Sequence, residues 1–219
     1  MIINTGYDDP IPPCPVAGHA WKKVTSNTNA SWLCHFKDEK NTYSKSKKYL
    51  FLAAESKLKG LSDKQKYERA RRLKNIISQV RENYNKKMNS ENLEDNQIGV
   101  ATYLIDKLAL RVGNEKGEDE ADTVGCCSLR VEHITLEEPN KVTFDFLGKD
   151  SMRYLNTIEV EPLVFKCMKR CTHKNGLKKE PKDDFFDLIN ASKLNDHLKT
   201  HMNDLSAKVF RTYNASITL

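Results

Sequence analysis

Lys141-Val142-Thr143-Phe144-Asp145-Phe146-Leu147-Gly148-Lys149-Asp150-Ser151-Met152-Arg153-Tyr154-Leu155-Asn156-Thr157-Ile158 is the stretch whose reading decides the fold. Val142, Phe144 and Phe146 alternate with Lys141, Thr143 and Asp145, the period of a half-buried strand. Met152, Tyr154 and Ile158 resume the apolar pattern after a polar turn around Gly148, so the spacing predicts a β-hairpin with Lys149 at its tip. Paired strands hold a tip backbone still while the four-carbon lysine stem carries an ammonium beyond it, a suitable device against a nucleic-acid groove. A turn lysine taken alone is simply solvated. Its neighbours in the chain must decide.

Upstream, Cys126 to Leu136 is β-rich and reaches the hairpin through Glu137-Glu138-Pro139-Asn140, which predicts a three-stranded antiparallel meander. Further upstream lie two helices. Ser62-Asp63-Lys64-Gln65 has capping-box spacing and opens the first, whose Ala70, Leu73, Ile77, Val80 and Tyr84 form one apolar stripe. Lys66, Arg69, Arg71, Arg72 and Lys74 face outward, either solvated or laid along phosphates. The second carries Ile98, Ala101, Ile105, Leu108, Ala109 and Val112 and stops at Gly113-Asn114, which places Arg111 in its last turn, the usual station for a cation that satisfies free carbonyls.

Downstream, helices are expected over Val164–Cys171, from Asp183 or Asp184 through Phe185, Phe186, Leu188 and Ile189, and from Ser192 through Leu194, Leu198, Met202 and Leu205. Ser206 caps a last one, Ala207 to Tyr213, where Lys208 and Arg211 lie near free backbone N–H groups that favour an anion. The sequence stops at Leu219 inside a continuing helix and reads as cut. At the other end, Ile11-Pro12-Pro13-Cys14-Pro15 excludes regular structure. Gly18 to Val24 and Ser31 to Phe36 read as a hairpin, with a further strand over Lys48–Leu52.

The chain has 219 residues, enough for a real core, and 36 Lys and Arg against 30 Asp and Glu give a net charge of +6. The excess is uneven, concentrated between Lys45 and Lys87 with an acidic run at Glu115 to Asp122, so a polyanion is the expected partner. No apolar run approaches the ~18 residues of a membrane helix, and no secretory signal is visible, which predicts a soluble protein without a membrane partner. Six scattered cysteines read as reduced intracellular thiols. Cys167, Cys171 and His173 lack a fourth ligand at zinc-like spacing, and the Asn-x-Ser triplets at Asn29, Asn190 and Asn214 read as chance matches.

Four blocks bring a resemblance. Leu108 to Lys116, Asp122 to Ile134, Phe144 to Ser151 and Ala207 to Ser216, in that order, closely resemble the core of eukaryotic type IB DNA topoisomerases, and the Pro15 to Trp21 and Tyr67 to Leu73 blocks extend the likeness over nearly the whole chain. The resemblance implies an α+β fold: a mainly helical catalytic lobe with a three-stranded antiparallel sheet over residues 57–219, preceded by the β-rich end of the DNA-clamp cap lobe over 1–56. It implies a nuclear, monomeric enzyme that relaxes supercoiled double-stranded DNA. A tyrosine attacks a backbone phosphate to leave a 3′-phosphotyrosine, the duplex rotates, and the reverse attack reseals it.

By motif position, Arg111 and Arg211 match the two arginines that stabilise the phosphorane-like state, and Lys149 matches the hairpin lysine that protonates the departing 5′ oxygen. Asn114, Lys116 and Asp150 resemble residues that line the DNA, and Lys208 is a further candidate contact. No cofactor is expected, neither metal nor ATP, because the phosphotyrosine stores the bond energy. The family's histidine and nucleophilic tyrosine lie beyond the Arg211 motif, in a missing C-terminal segment, and Tyr213 does not match the nucleophile, so this polypeptide is expected to bind duplex DNA without cleaving it alone. Two other readings stay open. A tyrosine recombinase shares the arginines and hairpin lysine but shows His-x-x-Arg where this chain has Lys208-Val209-Phe210-Arg211. A non-catalytic DNA-binding module keeping the same fold is the other.

Overall fold

The structure is a computed structural model, and it describes residues 1–27, 30–37, 47–53, 55–113 and 122–218. Asn114, Lys116 and Asn29 lie outside the described residues. The chain forms two compact units, Met1–Gln65 and Lys66–Leu219.

In the first unit, strands β1 (Ile2–Asn4), β2 (Lys23–Thr25), β3 (Trp32–Lys37) and β4 (Lys47–Phe51) form one sheet in the order β2-β1-β3-β4. The expected hairpin between β2 and β3 is not what forms. The short β1 lies between them, parallel to β2 and antiparallel to β3, pairing Ile3 with both Val24 and Cys34. A three-residue strand paired only with distant segments carries too little local pattern to be read from sequence. Strand β4 forms where expected, antiparallel to β3. Among the described residues of this unit only Ile3 and Cys34 are buried hydrophobics, while Leu50 and Phe51 on β4 stay exposed.

Helix α1 spans Lys57–Met88. It begins one turn before the Ser62 box, because Ser56 already offers the same chemistry: its Oγ accepts from the Lys59 N–H at 3.1 Å, and Lys59 pairs with Asp63 at 2.6 Å one turn on. The stripe of Ala70, Leu73, Ile77, Val80 and Tyr84 is buried as its spacing requires. Helix α2 (Leu93–Leu108) is capped by Asn92, whose side chain accepts from the Glu94 and Asp95 amides. Asn96 through Asp106 are all buried, which makes α2 the central helix of the second unit. Its buried polar side chains are used: Asn96 donates to the carbonyls of Lys87, Met88 and Ser90 at 2.7–3.2 Å, covering the exposed end of α1.

The expected meander forms from β5 (Ile134–Glu137), β6 (Lys141–Leu147) and β7 (Arg153–Glu159), in the order β5-β6-β7 and antiparallel throughout. Val142, Phe144 and Phe146 are buried on one face. The segment before β5 is not a strand; Cys126–Ser128 and Val131–His133 are short 3-10 turns. Helix α3 (Pro162–Cys171) opens with proline in its first turn and leads into a small hairpin of β8 (His173–Lys174) and β9 (Leu177–Lys178).

No helix forms over 183–190, contrary to expectation. Phe185 and Phe186 are both buried, at 0% and 2% exposure, and their rings meet edge to face at 4.9 Å. The buried Lys179 ammonium donates to the carbonyls of Asp184 and Phe185, so the backbone that a helix would have bonded internally is satisfied from outside. Helix α4 (Ala191–Lys199) follows, capped by Asn190 accepting from Lys193 N–H at 3.0 Å and not by Ser192. Helix α5 (Ala207–Thr218) closes the description, with Val209, Phe210 and Tyr213 buried. No described helix is long and apolar enough to cross a membrane.

Candidate functional site

Each expected cation stands on a differently built support. Lys149 sits at the tip of the β6–β7 hairpin, where Leu147 pairs with Arg153 and the Gly148 N–H donates to the Met152 carbonyl at 2.8 Å. The strands are stapled on both faces: Phe146 stacks on Tyr154 at 5.0 Å, Asp145 takes two hydrogen bonds from Arg153 at 2.7 Å, and Thr143 meets Thr157 at 2.9 Å. The turn itself is a 3-10 turn, Lys149–Ser151, with left-handed backbone at Asp150 (φ 63°) and Ser151 (φ 56°) and not at Gly148. The Lys149 side chain is 59% exposed, its ammonium 3.7 Å from the exposed Asp150 carboxylate.

Arg111 is not in a last helical turn. Helix α2 ends at Leu108 because Ala109 takes the left-handed conformation (φ 52°), and Leu110 turns into the core. The next residues run against the 125–127 segment, with the Cys126 N–H donating to the Arg111 carbonyl and the Cys127 N–H to the Val112 carbonyl, both at 2.7 Å. The two backbones approach so closely that a Cβ on Gly125 would stand 2.4 Å from the Gly113 nitrogen, and Gly113 itself has φ +80°. Only glycine fits this clasp. The same segment holds the hairpin, since the Val124 N–H donates to the Leu147 carbonyl at 2.8 Å. Two hydrogen bonds and two residues of chain therefore separate the Arg111 carbonyl from that of Leu147, a span of at most about 13 Å.

Arg211 projects from the second turn of α5 and is half-buried. Burial pushes its guanidinium pKa down, and the nearby positive charge of Arg111 pushes it further the same way. The fold thus brings these two side chains, distant in sequence, into one electrostatic neighbourhood. Neither guanidinium has a hydrogen-bonding or ion-pairing side-chain partner among the described residues, and that sets the pair apart. Every other arginine is held: Arg69 and Arg72 by Asp204, Arg71 by Glu68, Arg81 by Asp106, Arg130 by Asp122 and Glu132, Arg153 by Asp145, and Arg170 by Asn96. Two cations within electrostatic reach of each other and without a carboxylate repel, and an anion that both could contact would convert that repulsion into attraction.

Lys208 is exposed in the first turn of α5, and Asp150 is 72% exposed beside Lys149. Tyr213 is buried, 7% exposed, and packs in the core. Arg69 and Arg72 on the basic face of α1 are tied to Asp204, so that face is partly neutralised. Of the thiols weighed as ligands, Cys167 donates to the Met88 carbonyl at 3.2 Å, and burial pushes Cys171 up to about 12. Among the described residues no group of three or more His, Cys, Asp or Glu is placed to hold a metal.

Sequence reasoning passed over the residues that build this neighbourhood. Gly113 was legible as a left-handed helix stop, and it does have φ +80°, but nothing in the chain signalled its clasp with Gly125. Asp106 was legible as a carboxylate interrupting an apolar helix; it is fully buried and accepts from Arg81 Nε at 2.9 Å and from the Tyr84 hydroxyl at 3.2 Å. Burial together with Asp106 pushes the Tyr84 pKa up.

Residues 55–219 match the family described as eukaryotic DNA topoisomerase I, catalytic core, and residues 1–52 match eukaryotic DNA topoisomerase I, DNA binding fragment. The chain is 55% identical over 219 residues to DNA topoisomerase 1 beta of Arabidopsis thaliana, covering 100% of this chain and 23% of that protein. It is 53% identical over 220 residues to DNA topoisomerase 1 of Daucus carota, covering 100% of this chain and 27% of the relative. To DNA topoisomerase I, mitochondrial, of Rattus norvegicus it is 49% identical over 226 residues, covering 100% of this chain and 37% of the relative. The chain therefore spans well under half the length of these relatives.

Proposed function

The chain belongs to the eukaryotic DNA topoisomerase I family, and from that premise we propose that it supplies most of the phosphate-activating cations of an enzyme that relaxes duplex DNA by transient cleavage of one strand. In this reading a tyrosine outside the chain attacks a backbone phosphorus and the P–O bond to the 5′ oxygen breaks, leaving a 3′-phosphotyrosine and a 5′-hydroxyl. Arg111 and Arg211 answer the charge that accumulates on the non-bridging oxygens, a contribution of roughly 3 kcal/mol per donor. Lys149 gives its proton to the departing oxygen, worth roughly a hundred- to ten-thousand-fold in rate. Religation runs the same steps backwards, so neither metal nor ATP is required. Asn114, Lys116, Asp150 and Lys208 line the DNA, residues 1–56 belong to the end of a cap lobe, and 57–219 belong to the catalytic lobe. The setting is chromosomal DNA in the nucleus.

One observation carries the reading: Arg111 and Arg211, within electrostatic reach of each other, have no side-chain partner among the described residues, whereas every other arginine is held by a carboxylate or, for Arg170, by Asn96. The position of the Leu147 carbonyl, tied through Val124 to the strand that holds Arg111, is consistent with Lys149 reaching the same phosphate. Burial of Tyr213 argues against its serving as nucleophile, and in this reading the chain alone binds DNA without cutting it. The family match favours this over a recombinase.

The test uses the full-length protein and a duplex that traps the covalent complex. Arg111→Ala and Arg211→Ala should each slow cleavage by about 100- to 1,000-fold, while duplex binding, set by many phosphate contacts, stays within about threefold. Lys149→Ala should be slow on ordinary DNA and recover on a substrate whose leaving atom is sulfur, because a thiolate needs no proton to depart. Parallel loss of binding and cleavage in all three variants would instead support a non-catalytic DNA module.

A further inference from the structure

Asp106 is where three helices of the second unit meet. Its buried carboxylate takes the Arg81 guanidinium and the Tyr84 hydroxyl of α1. Its backbone carbonyl takes the side-chain amide of Asn214 on α5, Nδ2 to O at 2.6 Å. That carbonyl is among the last four of α2, whose i+4 amides lie past the helix end. Asn214 therefore supplies a donor to a helix terminus from a neighbouring helix.

The location matters more than the bond. Asn214 lies three residues after Arg211, on the same face of α5, and Asp106 lies five residues before Arg111, where the chain leaves α2. We propose that Asn214 is a positioning residue: its amide, anchored on the Asp106 carbonyl, sets the height and rotation of α5 against the end of α2 and so fixes the separation of the Arg111 and Arg211 guanidiniums. This role rests on the reading of those two arginines as phosphate ligands.

The rest of α5 is secured independently. Asn195 Oδ1 accepts from the Ala207 N–H at 3.1 Å at the start of the helix, and Val209, Phe210 and Tyr213 are buried in the core. Removal of the Asn214 amide leaves a helix fastened at its beginning and along its buried face, and releases the turn that follows Arg211 to shift against the end of α2. Each residue of helix is 1.5 Å of rise and 100° of rotation, so a slip of a fraction of a residue moves the guanidinium by about an ångström. The amide also places the Asn214-Ala215-Ser216 triplet in the structure as a packing element.

The test compares Asn214→Ala and the near-isosteric Asn214→Asp, whose ionised carboxylate cannot donate, in the full-length protein, with Arg211→Ala alongside. Single-turnover cleavage at saturating duplex, the duplex dissociation constant and the far-ultraviolet circular dichroism are measured for each. Both Asn214 variants should cleave about 10- to 100-fold more slowly, the cost of an ångström-scale misplacement, with duplex affinity within about threefold and an unchanged dichroism spectrum. Cleavage at the parental rate in Asn214→Asp, while Arg211→Ala is impaired, overturns the positioning role and leaves the arginine site standing. If Asn214→Ala does not fold, Asn214→Asp decides. Parental cleavage by Arg211→Ala overturns the site itself and the positioning role with it. A loss of affinity equal to the loss of rate assigns Asn214 to binding and also overturns the proposal.

Discussion

Lys179 gives the sharpest test of how the second unit is held together. Its side chain is 2% exposed, and its three protons go to the carbonyls of Asp184 and Phe185, at 3.0 and 3.1 Å, and to Asp187 Oδ1 at 2.9 Å. Replacement by methionine keeps an unbranched stem of similar length and removes the charge with all three bonds. Bonds from a charged donor are worth roughly 1.5–3 kcal/mol each, but they are not additive, since the ammonium also no longer has to be desolvated. Measured losses on breaking a buried pair, roughly 3–5 kcal/mol, set the scale. Asp187 keeps the Gln97 amide at 2.7 Å, with the exposed Lys174 ammonium 3.6 Å away, so the expectation for Lys179→Met is the low end, about 3 kcal/mol.

The sign with pH follows from Asp187. Burial pushes its carboxyl up, but hydrogen bonds from Lys179 and Gln97 outweigh this and hold it below the usual carboxylate value. A carboxylate whose folded pKa is depressed stabilises the fold above its unfolded value of ~3.9 and loses that contribution as pH falls through the folded one. In Lys179→Met the main depressing partner is gone, so the stability gap between parent and variant should narrow as pH falls below ~4. Adding Asp187→Asn, which removes the stranded charge and keeps an acceptor for Gln97, should recover about 1–2 kcal/mol. Urea unfolding of the 219-residue chain should be followed by far-ultraviolet circular dichroism, because both tryptophans, Trp21 and Trp32, lie in the first unit. A loss under about 1 kcal/mol that does not change with pH would refute the account of the 183–190 loop as one held by a buried ammonium.

Ala109→Gly should raise stability by about 1 kcal/mol in the same unfolding measurement, since φ 52° strains any side chain and glycine removes the strain. Gly125→Ala should lower stability by about 1–3 kcal/mol, because its methyl would stand 2.8 Å from the Arg111 carbonyl and force the Arg111–Gly113 strand away. In the full-length protein the same variant should slow cleavage as well. His197, pushed down to about 4 mainly by burial and then by Lys87 and His201, should be seen to titrate near that value by NMR. Being held neutral in the folded state, it should cost the protein stability as pH falls from the unfolded value of ~6.5 towards 4.

Where structure follows from residues close in the chain, the letters sufficed. The alternation from Lys141 to Ile158 produced the β6–β7 hairpin and its lysine tip, and the three- and four-residue spacing from Ala70 to Tyr84 produced the buried face of α1. Errors fall where a local signal met a competitor at a distance. The Ser62 box is well formed as a sequence, but Ser56 caps the same helix six residues earlier. Apolar residues continue to Val112, yet α2 stops at Leu108 because the 125–127 backbone pairs with Arg111 and Val112. Phe185 and Phe186 look like part of a helical stripe until Lys179 arrives from outside to bond the Asp184 and Phe185 carbonyls.

For the candidate site, sequence alone supplied the candidates, two guanidiniums and an ammonium in motifs similar to a known family, and it determined the hairpin that carries the ammonium. Only the tertiary structure decided that Arg111 lies within electrostatic reach of Arg211 and that no acidic side chain among the described residues pairs with either. The reason is physical. A periodicity reports which side of an element is buried, whereas the distance between two side chains on α2's exit and on α5 depends on how those helices are fastened, through contacts such as Asn214 to Asp106 and Gly125 to Gly113 that leave no pattern in the chain.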